Sequence, residues 1–144
     1  MTLKIMNLFG EQVTLQPRVE LYSVTDFMGR ELPGLAIVLD EVTGSPDGLE
    51  EYAFLTVSFG EFISIKNSAY IDTNNCPFAE QLLSQGIAEP TGLYKTSGFC
   101  QYPLWIFKKD FLTEIGGENY QEYLRSFEGY FKAREGACDD GEDQ

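Results

Sequence analysis

The sequence predicts an α+β domain, an antiparallel sheet of about five to seven strands with two helices packed on one face. Three observations carry this expectation. The first part of the chain alternates apolar and polar residues with a period of two, cut by short glycine-containing turns. The second part changes to apolar spacings of three and four, the helix period. Aromatic residues make up 14% of the 144 positions (11 Phe, 8 Tyr, 1 Trp), which supports a substantial core in a chain of one domain's length.

Taken in order, Leu3, Ile5, Asn7 and Phe9 alternate with Lys4, Met6 and Leu8, and Val13 and Leu15 resume the pattern after Gly10. Residues 3–9 and 11–16 therefore read as a hairpin. Residues 18–26 place Val19, Leu21 and Ser23 on one face of a third strand. Gly29, Pro33 and Gly34 mark a turn before LAIVLDEV at 35–42, whose apolar β-branched run suits a central strand. GSPDG at 44–48 is the next turn, and 50–59 sets Ala53, Leu55, Val57 and Phe59 on one face of a fifth strand.

Asp72-Thr73-Asn74-Asn75 is a cluster of capping residues before Cys76-Pro77, and Gly86 suits a helix end, so 76–85 reads as a short helix with Phe78 and Leu82 inward. Residues 92–107 hold two short strands around Ser97-Gly98, with Pro103 confining the second to an edge or a bulge. Asp110 to Ile115 forms a helical turn stopped by Gly116-Gly117. Tyr120, Tyr123, Leu124, Phe127 and Phe131 then recur at helical spacing over 118–133. The closing EGACDDGEDQ is acidic and lacks strong apolar residues. The expected domain therefore spans 1–133, and 134–144 is expected to be a disordered acidic tail.

Charge and composition exclude several chemistries. Lys and Arg total 10, Asp and Glu total 23, and histidine is absent, for a net charge of −13. A Ser-His-Asp triad, a Cys-His pair and a His-ligated metal are therefore excluded. The charge opposes direct binding to nucleic acid or to an anionic membrane. Cys76, Cys100 and Cys138 are odd in number and widely spaced, which indicates neither a disulfide framework nor a zinc site. Free thiols in a reducing cytoplasm are the expectation, with a Cys76–Cys100 bridge left open. No signal-peptide pattern opens the chain, and no stretch approaches the ~18 apolar residues of a membrane span. Phosphate-loop glycine patterns and a D-x-D-x-D-G calcium loop are missing, so no metal and no cofactor is expected.

Between Arg30 and Lys66 lie seven acids and no base: Glu31, Asp40, Glu41, Asp47, Glu50, Glu51 and Glu61. Gathered on one sheet and its loops, they would form a negative patch that attracts a basic protein surface. The expected partner is such a surface, for example the nucleic-acid groove of a defence nuclease; the alternative is that the acidity serves only solubility. The pairs Asp40-Glu41 and Glu50-Glu51 do not converge for acid–base work if they lie in strands, because neighbours point to opposite faces. Ser97-Gly98-Phe99-Cys100 is shaped like a nucleophile turn, but Cys100 would need Lys95 or a carboxylate as its base, and a tight turn with a buried thiol is the simpler account. In the aromatic group Tyr94, Phe99, Tyr102, Trp105 and Phe107, core filling is the expectation for most. Tyr102 and Trp105 differ in strand parity, which leaves one of them for a partner.

The stretch IDTNNCPFAEQLLSQGIAEPTGLYKTSGFCQYPLWIF carries D-T-N-N-x-P-x-A-E at Asp72 to Glu80, P-T-G at Pro90 to Gly92 and S-G-F-C-x-Y-P at Ser97 to Pro103. With NLFGEQVTL at the first hairpin, residues 5–107 resemble a small bacterial family of unknown function, short acidic proteins encoded on conjugative and other mobile elements. The resemblance implies no activity. It implies a context in which proteins evade host defence, or regulate or assist transfer. The residues themselves give the motif a structural role: Asp72, Thr73 and Asn75 can cap the following helix, and Asn74 or Asn75 can take positive φ. Asp72, Asn74, Asn75 and Tyr102 are the candidate polar lining of a pocket, and Trp105 a candidate aromatic contact. The function expected is a non-enzymatic binding inhibitor, an anti-CRISPR or other anti-defence protein. The alternative is an accessory or regulatory protein that binds without mimicry, and an enzyme using Cys100 or carboxylates stands third.

Overall fold

A computed structural model of the chain describes residues 1–139 except Phe27 and residues 45–47, and describes no side chain beyond Tyr130. The strands are β1 (Leu3–Met6), β2 (Gln12–Thr25), β3 (Glu31–Val42), β4 (Leu49–Phe54), β5 (Thr56–Val57), β6 (Ser68–Ile71), β7 (Ala88–Ser97) and β8 (Cys100–Phe107). The helices are α1 (Ala79–Leu83) and α2 (Lys109–Asp139). The α+β class holds, but the strands form two antiparallel sheets rather than one, in the orders β1-β2-β3-β4 and β5-β6-β8-β7.

The division occurs inside the strand expected over 50–59. Up to Phe54 the chain pairs with β3, and from Thr56 it pairs with β6. Leu55, with no exposed surface, donates its N–H to the Ile37 carbonyl (2.9 Å) and accepts at its own carbonyl from the Asp72 N–H (2.8 Å). One residue thus bonds to both halves. β6 carries only Ser-Ala-Tyr-Ile, with no periodic apolar signal long enough to announce it.

Elsewhere the strands run longer than their patterns. The two strands expected at 11–16 and 18–26 are the single β2, which passes through Pro17. β1 starts at Leu3, opposite Leu15, leaving one side of β2 open at Pro17, the setting in which a strand tolerates a residue without an N–H. β3 includes Pro33 and Gly34. At Gly34 a Cβ would lie 2.2 Å from the Tyr22 ring, so the aromatic side chain requires glycine beneath it. Pro103 meets the bulge alternative: it pairs with Tyr94 beside the register shift between Pro90 and Tyr94.

α2 is broken at Gly117 (φ 53°, ψ −140°), where the glycine pair predicts a stop. It lies against β2 and β3, with Asn119 Nδ2 donating to the Val19 carbonyl (2.9 Å), while α1 lies against β1, so the helices do not share one face as expected. Tyr120, Tyr123 and Phe127 are buried as their spacing predicts, Leu124 is half-buried, and the Phe131 side chain lies outside the described residues; the three buried rings join Leu15, Ile37, Leu39, Leu55, Ile71, Leu82, Trp105 and Phe107 in one core that takes residues from both sheets and both helices. The helix assignment runs to Asp139, past the expected domain limit at 133; residues 140–144 of the expected tail lie outside the described residues.

α1 and the turn that follows it also close an edge. Gln81 and Gln85, one turn apart, each bond β1 twice: Gln81 at Met6 (N–H to Oε1 2.8 Å, Nε2 to carbonyl 3.0 Å), Gln85 at Lys4 (3.2 and 2.7 Å). Two side-chain amides thereby occupy the backbone groups that an added strand would use. Gln81→Ala with Gln85→Ala is expected to leave the fold intact and to expose this edge. Light scattering at rising concentration should show more self-association than the unmodified chain does, and identical scattering would refute the role.

Two tyrosines of α2 hold Asn67, which sits at φ 66°. Its N–H donates to the Tyr123 hydroxyl (2.9 Å), and the Tyr120 hydroxyl donates to its Oδ1 (3.0 Å). Burial pushes the Tyr123 hydroxyl from 10.0 to about 12 and the Cys76 thiol from 9.0 to about 12. Both stay protonated in the folded chain when the unfolded chain has lost their protons. Their stabilisation is therefore complete below pH 9 and is lost as pH rises from 9 to 12. The urea midpoint should fall across that window, and Tyr123→Phe should flatten the fall. The same variant leaves the Asn67 N–H unpaired and should cost about 1–3 kcal/mol at neutral pH. A midpoint that does not change with pH would overturn the account.

Candidate functional site

The β3–β4 register sets Asp40 opposite Glu51 and Glu41 opposite Glu50. Arg18 of β2 reaches into this group. Its Nε donates to Asp40 Oδ2 (2.8 Å), its Nη1 pairs with Glu20, and its Nη2 lies 3.7 Å from Glu51. The hydrogen bond to Asp40 leads the causes that raise the Arg18 pKa, against the opposing effect of burial. Asp40 is only 8% exposed, so it is a structural ion-pair partner and not part of an outward patch. Glu41 and Glu50 face each other on the side of the sheet that carries Leu39, and no Lys or Arg pairs with either among the described residues.

The other acids lie elsewhere. Glu31 begins β3, ten residues before Glu41, which is roughly 33 Å away at ~3.3 Å per residue. Glu61 pairs with Lys95 of β7. Asp47 lies outside the described residues. The expected continuous patch is thus divided by strand length and by Arg18 and Lys95, and the carboxylates at this end of the sheet fall into two sets: Glu20, Asp40 and Glu51 around Arg18, and Glu41 with Glu50 on the opposite face. Glu50 and Glu51 also occupy β4, an edge strand, where charge discourages pairing with another sheet.

The motif residues hold a turn. Asp72 accepts from the Asn75 N–H (3.2 Å) and from Asn75 Nδ2 (2.9 Å), and Thr73 Oγ1 donates to the Gln101 carbonyl (3.3 Å). The bonds brace the turn before α1 and do not cap the helix, whose N-cap residue is Phe78 with no side-chain bond. Neither Asn74 nor Asn75 has positive φ; among the described non-glycine residues that conformation belongs to Asn67. Asn74 is exposed and Asn75 borders a groove described below. Tyr102 is packed on Phe59 (5.3 Å between ring centroids), its hydroxyl pKa raised chiefly by a hydrogen bond with Cys100 and also by the charge of Asp72. Trp105, 2% exposed, is core and cannot serve as a surface contact. Cys76 and Cys100 are both free thiols, and Cys76 Sγ donates to the Phe54 carbonyl (3.3 Å). Lys95, the base considered for Cys100, is instead engaged by Glu61 and lies over the Phe59 ring at 5.2 Å.

A feature missed by sequence reasoning lies where β1 turns into β2. Asn7 Oδ1 accepts from the N–H groups of Phe9 and Glu11 (2.9 Å each), and Asn7 Nδ2 donates to Glu11 Oε1 (3.1 Å). Gly10 at φ 79° completes the turn. The loop is held by its polar groups, and Leu8 and Phe9 stand 88% and 87% exposed. Beside them lies a groove of about 390 Å³ lined by Met6, Tyr52, Ala53, Pro77 and Phe78, its floor formed where the Tyr52 and Phe78 rings meet at 5.8 Å. The alternation of Leu8 and Phe9 with polar neighbours resembles any strand end, so their exposure had no sequence signal.

The folded unit is an acidic two-sheet α+β domain with an apolar groove and a carboxylate group at one end of its first sheet. The chain belongs to the family described as a domain of unknown function, DUF4313, whose model matches residues 29–127 and so spans the motifs from Asp72 to Pro103. No curated protein and no solved structure matches it. No described helix is long and apolar enough to cross a membrane, and no group of three or more described Cys, Asp and Glu residues is placed to hold a metal ion.

Arg18 should be a stability determinant. Arg18→Met strands the Asp40 carboxylate with little water access and is expected to cost about 1–3 kcal/mol, discounted from a fully buried pair because Arg18 is partly exposed. Adding Asp40→Asn should recover part of the loss. Urea unfolding of the two single variants and the double variant gives the coupling, and simple additivity would show that the pair carries no interaction.

Proposed function

We propose that the protein is a non-enzymatic binding inhibitor encoded on a mobile element, an anti-defence protein that occupies a basic groove made for nucleic acid. The observation that carries this reading is the Glu41–Glu50 pair. Like charges directly opposite on neighbouring strands are destabilising, yet no Lys or Arg pairs with this one among the described residues. A basic partner would relieve it. The net charge of −13 adds long-range attraction and faster encounter. The motif resemblance to mobile-element proteins supports the anti-defence context, and a nuclease channel that holds a heteroduplex is positively charged for that purpose.

A second reading, an accessory protein held by apolar contacts without mimicry, is favoured by the β7–β8 hairpin. Phe99 at its tip is fully exposed, and Leu93 and Tyr94 are more than half exposed.

Capture from host lysate identifies the partner, and its dissociation constant is then measured at several salt concentrations. Glu41→Gln with Glu50→Gln should weaken binding about tenfold at low salt. The difference should close toward 1 M salt, where the Debye length is ~3 Å. Equal affinity of both proteins at low salt would leave the accessory reading ahead, and Phe99→Ala would then be the damaging change.

A further inference from the structure

We propose that the groove beside Leu8 and Phe9 docks an amphipathic segment of a partner protein, apolar on the face that enters the groove and basic on its flank. The inference rests on the basic-partner reading above and names the shape of what binds. Four observations lead to it.

The first is presentation. Leu8 and Phe9 are almost wholly exposed on a turn that Asn7 closes through its own amide, so the fold needs neither apolar side chain. A pinned turn loses little freedom on binding, which favours affinity. The second is the lining. Met6, Tyr52, Pro77 and Phe78 join Leu8 and Phe9 around a volume of about 390 Å³, room for a few side chains of an inserted segment. An exposed apolar surface with a concave floor marks an interaction site.

The third is continuity with charge. Ala53, in the groove wall, pairs with Leu39, and Glu41 follows Leu39 by two residues on the same face, opposite Glu50. Past the irregularity in register between Leu39 and Asp40, the same two strands carry the Glu41–Glu50 pair. Glu11, after the β1–β2 turn, and Glu80, next to the groove residue Gln81 in α1, are both exposed acids, against one exposed base on β1, Lys4. A segment with Lys or Arg on its flank is complementary there, and an acidic segment is repelled. The fourth is the exclusion of a second copy, since chains of net charge −13 repel each other and would bring the same carboxylates together.

The test is fluorescence anisotropy with three labelled helical peptides of equal length: one with a Leu face and Lys flanks, one with the Leu face and Glu flanks, and one with Lys flanks and Ser in place of Leu. The Leu-Lys peptide should bind the unmodified protein, and Leu8→Ser with Phe9→Ser should weaken it at least about tenfold. That loss should persist at high salt. Circular dichroism should be unchanged, because both side chains are exposed. If the Leu-Lys peptide binds the double variant as well as the unmodified protein, or the Lys-Ser peptide binds as tightly as Leu-Lys, the groove proposal is overturned while the basic-partner reading stands. If the Leu-Glu peptide binds as tightly as Leu-Lys, the basic flank is wrong and the reading beneath it fails. Sedimentation that shows a dimer dissolved by Leu8→Ser would assign the groove to a second copy and also overturn the proposal.

Discussion

The passage of one strand through Leu55 is the constraint on which the rest of the molecule depends. Its N–H is committed to Ile37 in the first sheet and its carbonyl to Asp72, the residue that follows β6 of the second. A buried backbone group left unpaired costs about 1–3 kcal/mol, so neither bond can be given up lightly, and the two sheets are fixed relative to each other at this residue. The neighbouring contacts follow from it. Cys76 reaches the Phe54 carbonyl, the Asp72 turn is set in front of α1, and Phe78 is brought onto Tyr52. The groove exists because the crossing holds β4 and the start of α1 side by side.

Two open sheets have four edges, and each is blunted differently. β1 is covered by the Gln81 and Gln85 amides, and β5 is only two residues long. β7 carries Pro90 and a register shift, and β4 carries Glu50 and Glu51. The acidity of β4 therefore has a structural use before any partner is considered. The two uses are compatible. Charge that keeps other sheets away from an edge is also charge that a basic surface can neutralise, and Arg18 shows how readily these carboxylates accept a guanidinium.

The candidate site was legible only in its types of residue. That the chain is acidic and without histidine is plain from composition. That Asp40 is buried under Arg18 is not, because the partners are 22 positions apart and meet only through the β2–β3 register. Glu31 and Glu41 looked like members of one patch because they share a base-free stretch, yet an extended strand separates its ends widely. Tyr102 and Trp105 were correctly placed on opposite faces by parity, and burial then removed Trp105 from the surface.

Sequence alone determined the α+β class, the hairpin at Gly10, the helix break at Gly116-Gly117 and the inward face of Tyr120, Tyr123 and Phe127. Each of these is written in neighbours: a period of two or of 3.6, or a glycine where φ must be positive. Tertiary structure decided the division into two sheets, the capture of three carboxylates by Arg18, the amide clasp on β1 and the groove beside Leu8 and Phe9. Those features arise from hydrogen bonds and contacts between segments far apart in the chain, and such pairings leave no period in the local sequence from which to read them.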